Sequence, residues 1–216
     1  MDRNNRLLSS LGSFLRTLFD LMLLNLLWAV CVLPVITFGP ATSALCHAEL
    51  RLVRDEPLST LRDFFAAFRR GFGQGVALGL IGLAGLVIAV TDFRFALAQT
   101  GGMRVLFLTV AVIVSALVLS YFAYAFALHA RYENSLSGTI KNALSLAFVS
   151  PDKTLQIWLA FALPVAAALM LPLEAVIRLG FFYILFGVSA PAWFAARSQR
   201  KVFDRFDGAA KNESKN

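Results

Sequence analysis

Five stretches of this chain run for roughly twenty residues without a charged side chain, and that feature limits what it can fold into. They are Leu21–Cys46, Gly71–Thr91, Val105–Leu128, Leu155–Leu173 and Leu179–Ala196. Each approaches the ~20 apolar residues that a helix needs to cross a bilayer. Strands of a membrane barrel would alternate apolar and polar positions over about 10 residues, whereas these segments are continuously hydrophobic. The expected fold class is therefore all-α, a polytopic helical membrane protein with about five transmembrane helices. The mean hydropathy of +0.71 and a charged fraction of only 15% agree with this. Residues 1–206 read as a single membrane domain, and 207–216 as a polar tail expected to be disordered.

Threading follows from the basic residues, because Lys and Arg collect in short cytoplasmic loops. Arg51, Arg54, Arg62, Arg69 and Arg70 follow the first stretch; Arg131, Lys141 and Lys153 follow the third; Arg197, Arg200, Lys201, Arg205, Lys211 and Lys215 follow the fifth. These make 14 of the 20 basic residues. Both loops and the C-terminus are placed inside, so five spans put the N-terminus outside. Arg3, Arg6 and Arg16 oppose that placement. The conflict disappears if Leu21–Cys46 turns back at Pro34–Pro40 as a re-entrant hairpin. A cleaved secretory signal is disfavoured, since the apolar run exceeds the roughly 7–15 residues of a signal core and Ala41–Ala44 lacks a clean A-x-A site.

Within the first stretch, LPVITFGPATSAL keeps every charge out yet contains Pro34, Gly39 and Pro40. Helix breakers at membrane depth are tolerated where the freed backbone groups meet protein or a water-lined cavity. Gly39–Pro40 is expected to end the first helix, with Thr42 or Ser43 capping the next. Pro34, Thr37, Gly39, Pro40, Thr42 and Ser43 are thus the candidate helix break. Read more sharply, the threonines and serine would line a polar cavity for a neutral solute such as a sugar.

The loops carry amphipathic helices. Leu61, Phe64, Phe65 and Phe68 fall at i, i+3, i+4 and i+7, with Arg62, Arg69 and Arg70 on the other side or at the end. Such a helix suits an anionic lipid surface or a docked partner. TLRDFFAAF at Thr60–Phe68 aligns with TIKNALSLA at Thr139–Ala147, Arg62 falling on Lys141, as a two-unit parallel repeat would give. Ser150-Pro151-Asp152 marks a helix start. Glu174 and Arg178 stand at i and i+4 in the tight connection before the fifth stretch, spaced as a hairpin ion pair. Gly71, Gly75 and Gly79 favour close helix packing, within one subunit or between two.

Catalytic and metal motifs are missing. There is no H-E-x-x-H, G-x-S-x-G or Walker loop, so no catalytic residue, cofactor or metal is expected. Cys31 and Cys46 read as small hydrophobes, and His47 and His129 stand singly at span ends. Membrane topology accounts for the basic excess, so no nucleic-acid partner is invoked.

Taken together, LNLLWAVCVLPVITFGPATSAL, LVRDE, RDFFAAFRRGFGQ, RYENSLSGTIKNAL and FDRF closely resemble the YesL-like proteins, the bacterial family of domain of unknown function 624, from about Leu21 to Phe206. The resemblance implies a multi-pass protein of the bacterial cytoplasmic membrane, encoded beside sugar-uptake and glycan-degradation systems, and it assigns no catalytic or ligand residue. Two functional readings follow. One is an accessory or scaffold subunit that contacts a sugar-uptake transporter or a cytoplasmic protein through Arg62, Phe64, Phe65, Phe68, Arg69, Arg70 and Lys141. The other is a small transporter working as a homo-oligomer.

Overall fold

A computed structural model describes the backbone of residues 3–170 and 172–213, and the side chains of 11–167, 169, 170, 172, 174 and 180–208. The chain forms α1 (Arg3–Val32), α2 (Phe38–Val53), α3 (Thr60–Arg69), α4 (Phe72–Ala98), α5 (Gly101–Arg131), α6 (Leu136–Val149), α7 (Pro151–Met170), α8 (Leu173–Phe186) and α9 (Ser189–Glu213), with a 3-10 turn at Val35–Thr37. Among the described residues there is no strand, as expected for an all-α protein. Among the described residues, three segments are long and apolar enough to cross a membrane: Leu11–Val32, Phe72–Ala98 and Gly101–Arg131.

The stretch Leu21–Cys46 is not one continuous helix. The first break falls at Leu33–Pro34, earlier than the expected Gly39–Pro40. Pro34 cannot donate to the helix ladder and forces Leu33 out of helical geometry. Pro40, by contrast, occupies the first turn of α2, where a missing N–H costs nothing. Thr37, rather than Thr42 or Ser43, stands at the N-cap, and its hydroxyl turns back to the carbonyls of Cys31 and Pro34. The backbone freed by the break therefore has a partner.

Contacts between α1 and α2 run in reverse order. Trp28 donates to Thr42, Leu24 clusters with Ala44, Leu45 and Ala48, and Asp20 accepts from Thr60 just beyond α2. The two helices form an antiparallel hairpin, so α1 starts toward the end at which α2 finishes.

How far the hairpin reaches is set by α4 and α5, which pack together along their lengths. Gly39 and Pro40 meet Gly75 and Gly79, the ring of Phe38 meets Phe122 and Phe126, and His47 meets Ala130. Gly79 lies about two turns into α4, ~10 Å along a helix of ~40 Å. The hairpin tip, where Leu33, Val35 and Ile36 are exposed, thus stands part-way along the α4–α5 pair. The small-residue steps of α4 are spent inside the subunit. Gly71 has a different task, adopting φ of 67° where α3 turns into α4.

Between α2 and α4, α3 is anchored by Thr60 on Asp20 and by Asp63, which accepts from the Ser59 N–H and pairs with Arg51 at 3.0 Å. Phe64 is fully buried beside Leu24 and Leu45, which removes it from the expected contact face. Both α3 and α6 bury the aligned threonines, Thr60 and Thr139, but α3 starts at Thr60 and α6 already at Leu136.

The expected start at Ser150–Asp152 is where α7 begins. The fifth stretch, Leu179–Ala196, is itself interrupted at Gly187–Val188, between α8 and α9. The C-terminal segment is not a loose tail from residue 207, since α9 continues as helix to Glu213. Asp207 holds Arg131 and accepts from the Tyr132 hydroxyl, tying that helix to α5.

Candidate functional site

The second helix break is clasped by a single side chain. Asn25, only 3% exposed on α1, accepts from the N–H groups of Val188 and Ser189 at 2.9 and 3.0 Å and donates to the Ile184 carbonyl at 2.7 Å. One amide thus satisfies the start of α9 and the end of α8, and uses both of its functional atoms to do so. A lone asparagine in an apolar run was the signal for this role, but its partners lie about 160 residues away.

Between the breaks lies a cavity of about 800 Å³ walled by α1, α2, α5, α7 and α9. Trp28, Phe38, Phe122, Phe126, Trp158 and Phe161 give it an apolar lining. Of the candidate break residues, only Thr42 faces it, with its hydroxyl engaged by Trp28 and by the Phe38 carbonyl. Thr37 is occupied at the turn, Gly39 and Pro40 are packed on α4, and Ser43 is buried with its hydroxyl unpaired. This is not the polar lining that a sugar requires, because hydroxyl groups entering it would leave most of their hydrogen bonds unmade.

Charge is gathered where α2 and α5 finish against the middle of α9. Arg54 and Arg131 lie 3.6 and 3.7 Å from Asp204, Arg200 lies 3.6 Å from the same carboxylate and donates to the Val53 carbonyl, and Arg131 also stacks on Tyr132 and Phe203. Arg51 pairs with Glu56 and Asp63. Sequence spacing gave no hint of this network, whose acids Asp204 and Asp207 come from the far end of the chain. His47 is pushed down by burial, a shift opposed by its hydrogen bond to Ala130 and reinforced by the charges of Arg70 and Arg51.

Beside this network Glu49 is 1% exposed, and one carboxyl oxygen has no hydrogen-bond partner. Burial raises its pKa well above the ordinary carboxylate range. The folded protein therefore keeps a proton that the unfolded chain releases, and stability declines as pH rises above about 4.5. The limit is ~1.4 kcal/mol per pH unit up to the folded pKa. Thermal unfolding in detergent across pH 5 to 8 (about that range) is expected to show this decline in the wild type and a flatter profile in Glu49→Gln; parallel profiles would refute it.

Among the expected contact residues, Arg62, Phe65, Arg69, Arg70 and Lys141 are exposed and Phe68 is half-buried. Leu61 and Phe72 add exposed apolar surface to that of Phe65. Arg62, Phe65 and Arg69 come together on α3 and Arg70 follows at its end, whereas Lys141 lies separately on α6. The Arg178 side chain lies outside the described residues, so its pairing with the exposed Glu174 does too.

Three apolar helices of spanning length among the described residues, with a polar end and apolar flanks, define a helical membrane protein. Residues 21–93, about a third of the chain, match the model of a family described as protein of unknown function, DUF624. That match supports the DUF624 resemblance. No curated protein and no solved structure shows a significant match.

Proposed function

We propose that this is a non-enzymatic accessory subunit of the cytoplasmic membrane that docks a partner on the outer face of α3. The observation that carries this reading is a helix fixed to the body by Thr60, Asp63 and Phe64 while Leu61 and Phe65 remain 53% and 41% exposed beside Arg62 and Arg69. Anchored apolar side chains ringed by arginine are what a protein interface presents. The positive-inside rule puts this end in the cytoplasm. The α1–α2 hairpin then becomes re-entrant with the N-terminus inside, which accommodates Arg3, Arg6 and Arg16. With α4, α5, α7 and the broken α8–α9 segment as the remaining crossings, the C-terminus is also inside. Association with carbohydrate uptake in bacteria, and descent from a two-unit repeat, rest on the sequence resemblances alone.

Broken helices also occur in transporters, where unwound backbone binds solute. Here Asn25 and Thr37 occupy the freed groups, and among the described residues no buried polar side chain lies on α4 or on the first half of α5. A solute crossing the membrane within one subunit would find no buried polar partner along that wall, so the accessory reading is favoured.

A photoreactive residue at position 65, irradiated in native membranes, is expected to give a discrete protein adduct, while one at Val112 on the exposed side of α5 gives lipid adducts only. Lipid adducts alone at position 65 would make α3 a bilayer-contact helix and overturn the proposal. Sugar uptake by proteoliposomes containing this protein alone would establish the transporter instead.

A further inference from the structure

A second pocket, of about 280 Å³, opens at the basic end between the finish of α2, the finish of α5 and the turn into α4. Its polar lining consists of His47, Arg51, Arg54, Arg70 and Arg131, with Glu56 as the sole acid. The carboxylates around it leave this charge incompletely matched. Asp63, Asp204 and Asp207 hold Arg51, Arg54 and Arg131 from outside the lining. Glu56 stays 3.5 Å from Arg51 and 3.8 Å from Arg54, on a side chain 44% exposed. Two guanidinium nitrogens are buried without hydrogen bonds: Arg131 Nη1, and Arg51 Nε, which is the atom that faces Glu56 at 3.5 Å. Among the described residues no carboxylate pairs with Arg70, whose charge instead presses on His47 and His129.

Buried guanidinium donors are costly when unpaired, and several converging on one space are relieved by an anion. A carboxylate is planar and fills one guanidinium fork, whereas a tetrahedral phosphate accepts from several directions at once. The pocket volume admits a group of a few heavy atoms and excludes a folded chain or a nucleic-acid duplex. We propose that the pocket binds a phosphate group, with Arg70 as its otherwise unpaired cation and Arg51, Arg54 and Arg131 completing the wall. The group is either free phosphate or the headgroup of an anionic phospholipid entering from the adjoining bilayer surface. This inference does not depend on α3 docking a protein.

Arg70 is the residue to test, because its side chain carries no ion pair whose loss would disturb the fold. Purified full-length protein in phosphatidylcholine nanodiscs would be titrated with inorganic phosphate, and compared with nanodiscs containing phosphatidic acid, reading binding by calorimetry and stabilisation by thermal unfolding. Saturable binding of one of the two is expected, weakened at least about tenfold in Arg70→Gln, the ~1.4 kcal/mol of one lost charge-assisted contact. Arg205→Gln, which removes the same charge at an exposed position of α9 outside both the pocket and the α3 face, should bind as the wild type does. Response to phosphatidic acid alone assigns the phosphate to lipid; response to inorganic phosphate assigns it to a soluble ligand. Equal weakening in both variants, or no saturable binding of either probe, overturns the proposal and leaves the arginines as partners of the protein's own acids.

Discussion

Gly39→Ala is expected to unfold or severely destabilise the protein. A methyl group there would overlap the Gly75 carbonyl oxygen and sit 2.9 Å from the Gly79 nitrogen, both main-chain atoms that cannot swing aside. Relief requires α2 to move away from α4, which also loosens Phe38 from Phe122 and Phe126. Overpacking of this kind costs about 3 kcal/mol, and the backbone location of the clash places it at the upper end of the range. Gly12 and Gly73 provide the comparison, since a methyl at either meets nothing within 4 Å. Gly12→Ala, inside α1, should stabilise by up to ~1 kcal/mol through helix propensity alone. Thermal unfolding in detergent separates these outcomes. A Gly39→Ala protein as stable as Gly12→Ala would mean that α2 and α4 do not cross at these residues.

Asn25→Leu is expected to have an effect at least as large. Leucine fits the volume and suits the surroundings of Leu24 and Trp28, yet it leaves the N–H groups of Val188 and Ser189 and the carbonyl of Ile184 without their partner. At ~1–3 kcal/mol for each buried unsatisfied group, the cost for the three is about 3 to 9 kcal/mol. The damage should be local at first, because the junction of α8 and α9 loses its clasp while the α4–α5 pair keeps its own contacts, including the Tyr121 hydroxyl on the Leu78 carbonyl. Hydrogen exchange should therefore accelerate at Val188 and Ser189 before it does along α5. Unchanged protection at those two amides would show that Asn25 does not hold the break.

The two substitutions address opposite kinds of helix signal. Proline and glycine in the first apolar stretch announce a break, but the sequence has two such places within seven residues. What selects Pro34 is that Pro40 can be absorbed in the first turn of α2, where it and Gly39 give α4 a close approach. The break at Gly187–Val188 has its own markers, Gly187 before it and Pro191 in the first turn of α9, but it is held by an asparagine on another helix. The amphipathic pattern of α3 is plain at Leu61, Phe64, Phe65 and Phe68, yet a period of 3.6 residues does not say which part of the apolar side faces the protein. Thr60 and Asp63, by binding Asp20 and Arg51, rotate Phe64 inward and leave Leu61 and Phe65 outside.

By itself the sequence determined that this chain is helical and membrane-embedded, because apolar runs of this length can satisfy their backbone in lipid only as helices. It also determined that positive charge collects at one end, since the spacing of Arg and Lys between those runs is fixed by the chain. The tertiary structure decided that the first run doubles back, that α4 uses its glycines within the subunit, and that four arginines meet around one pocket. Those outcomes depend on contacts between residues tens to more than a hundred positions apart, whose geometry is set by packing and hydrogen bonding between helices and has no local period to announce it.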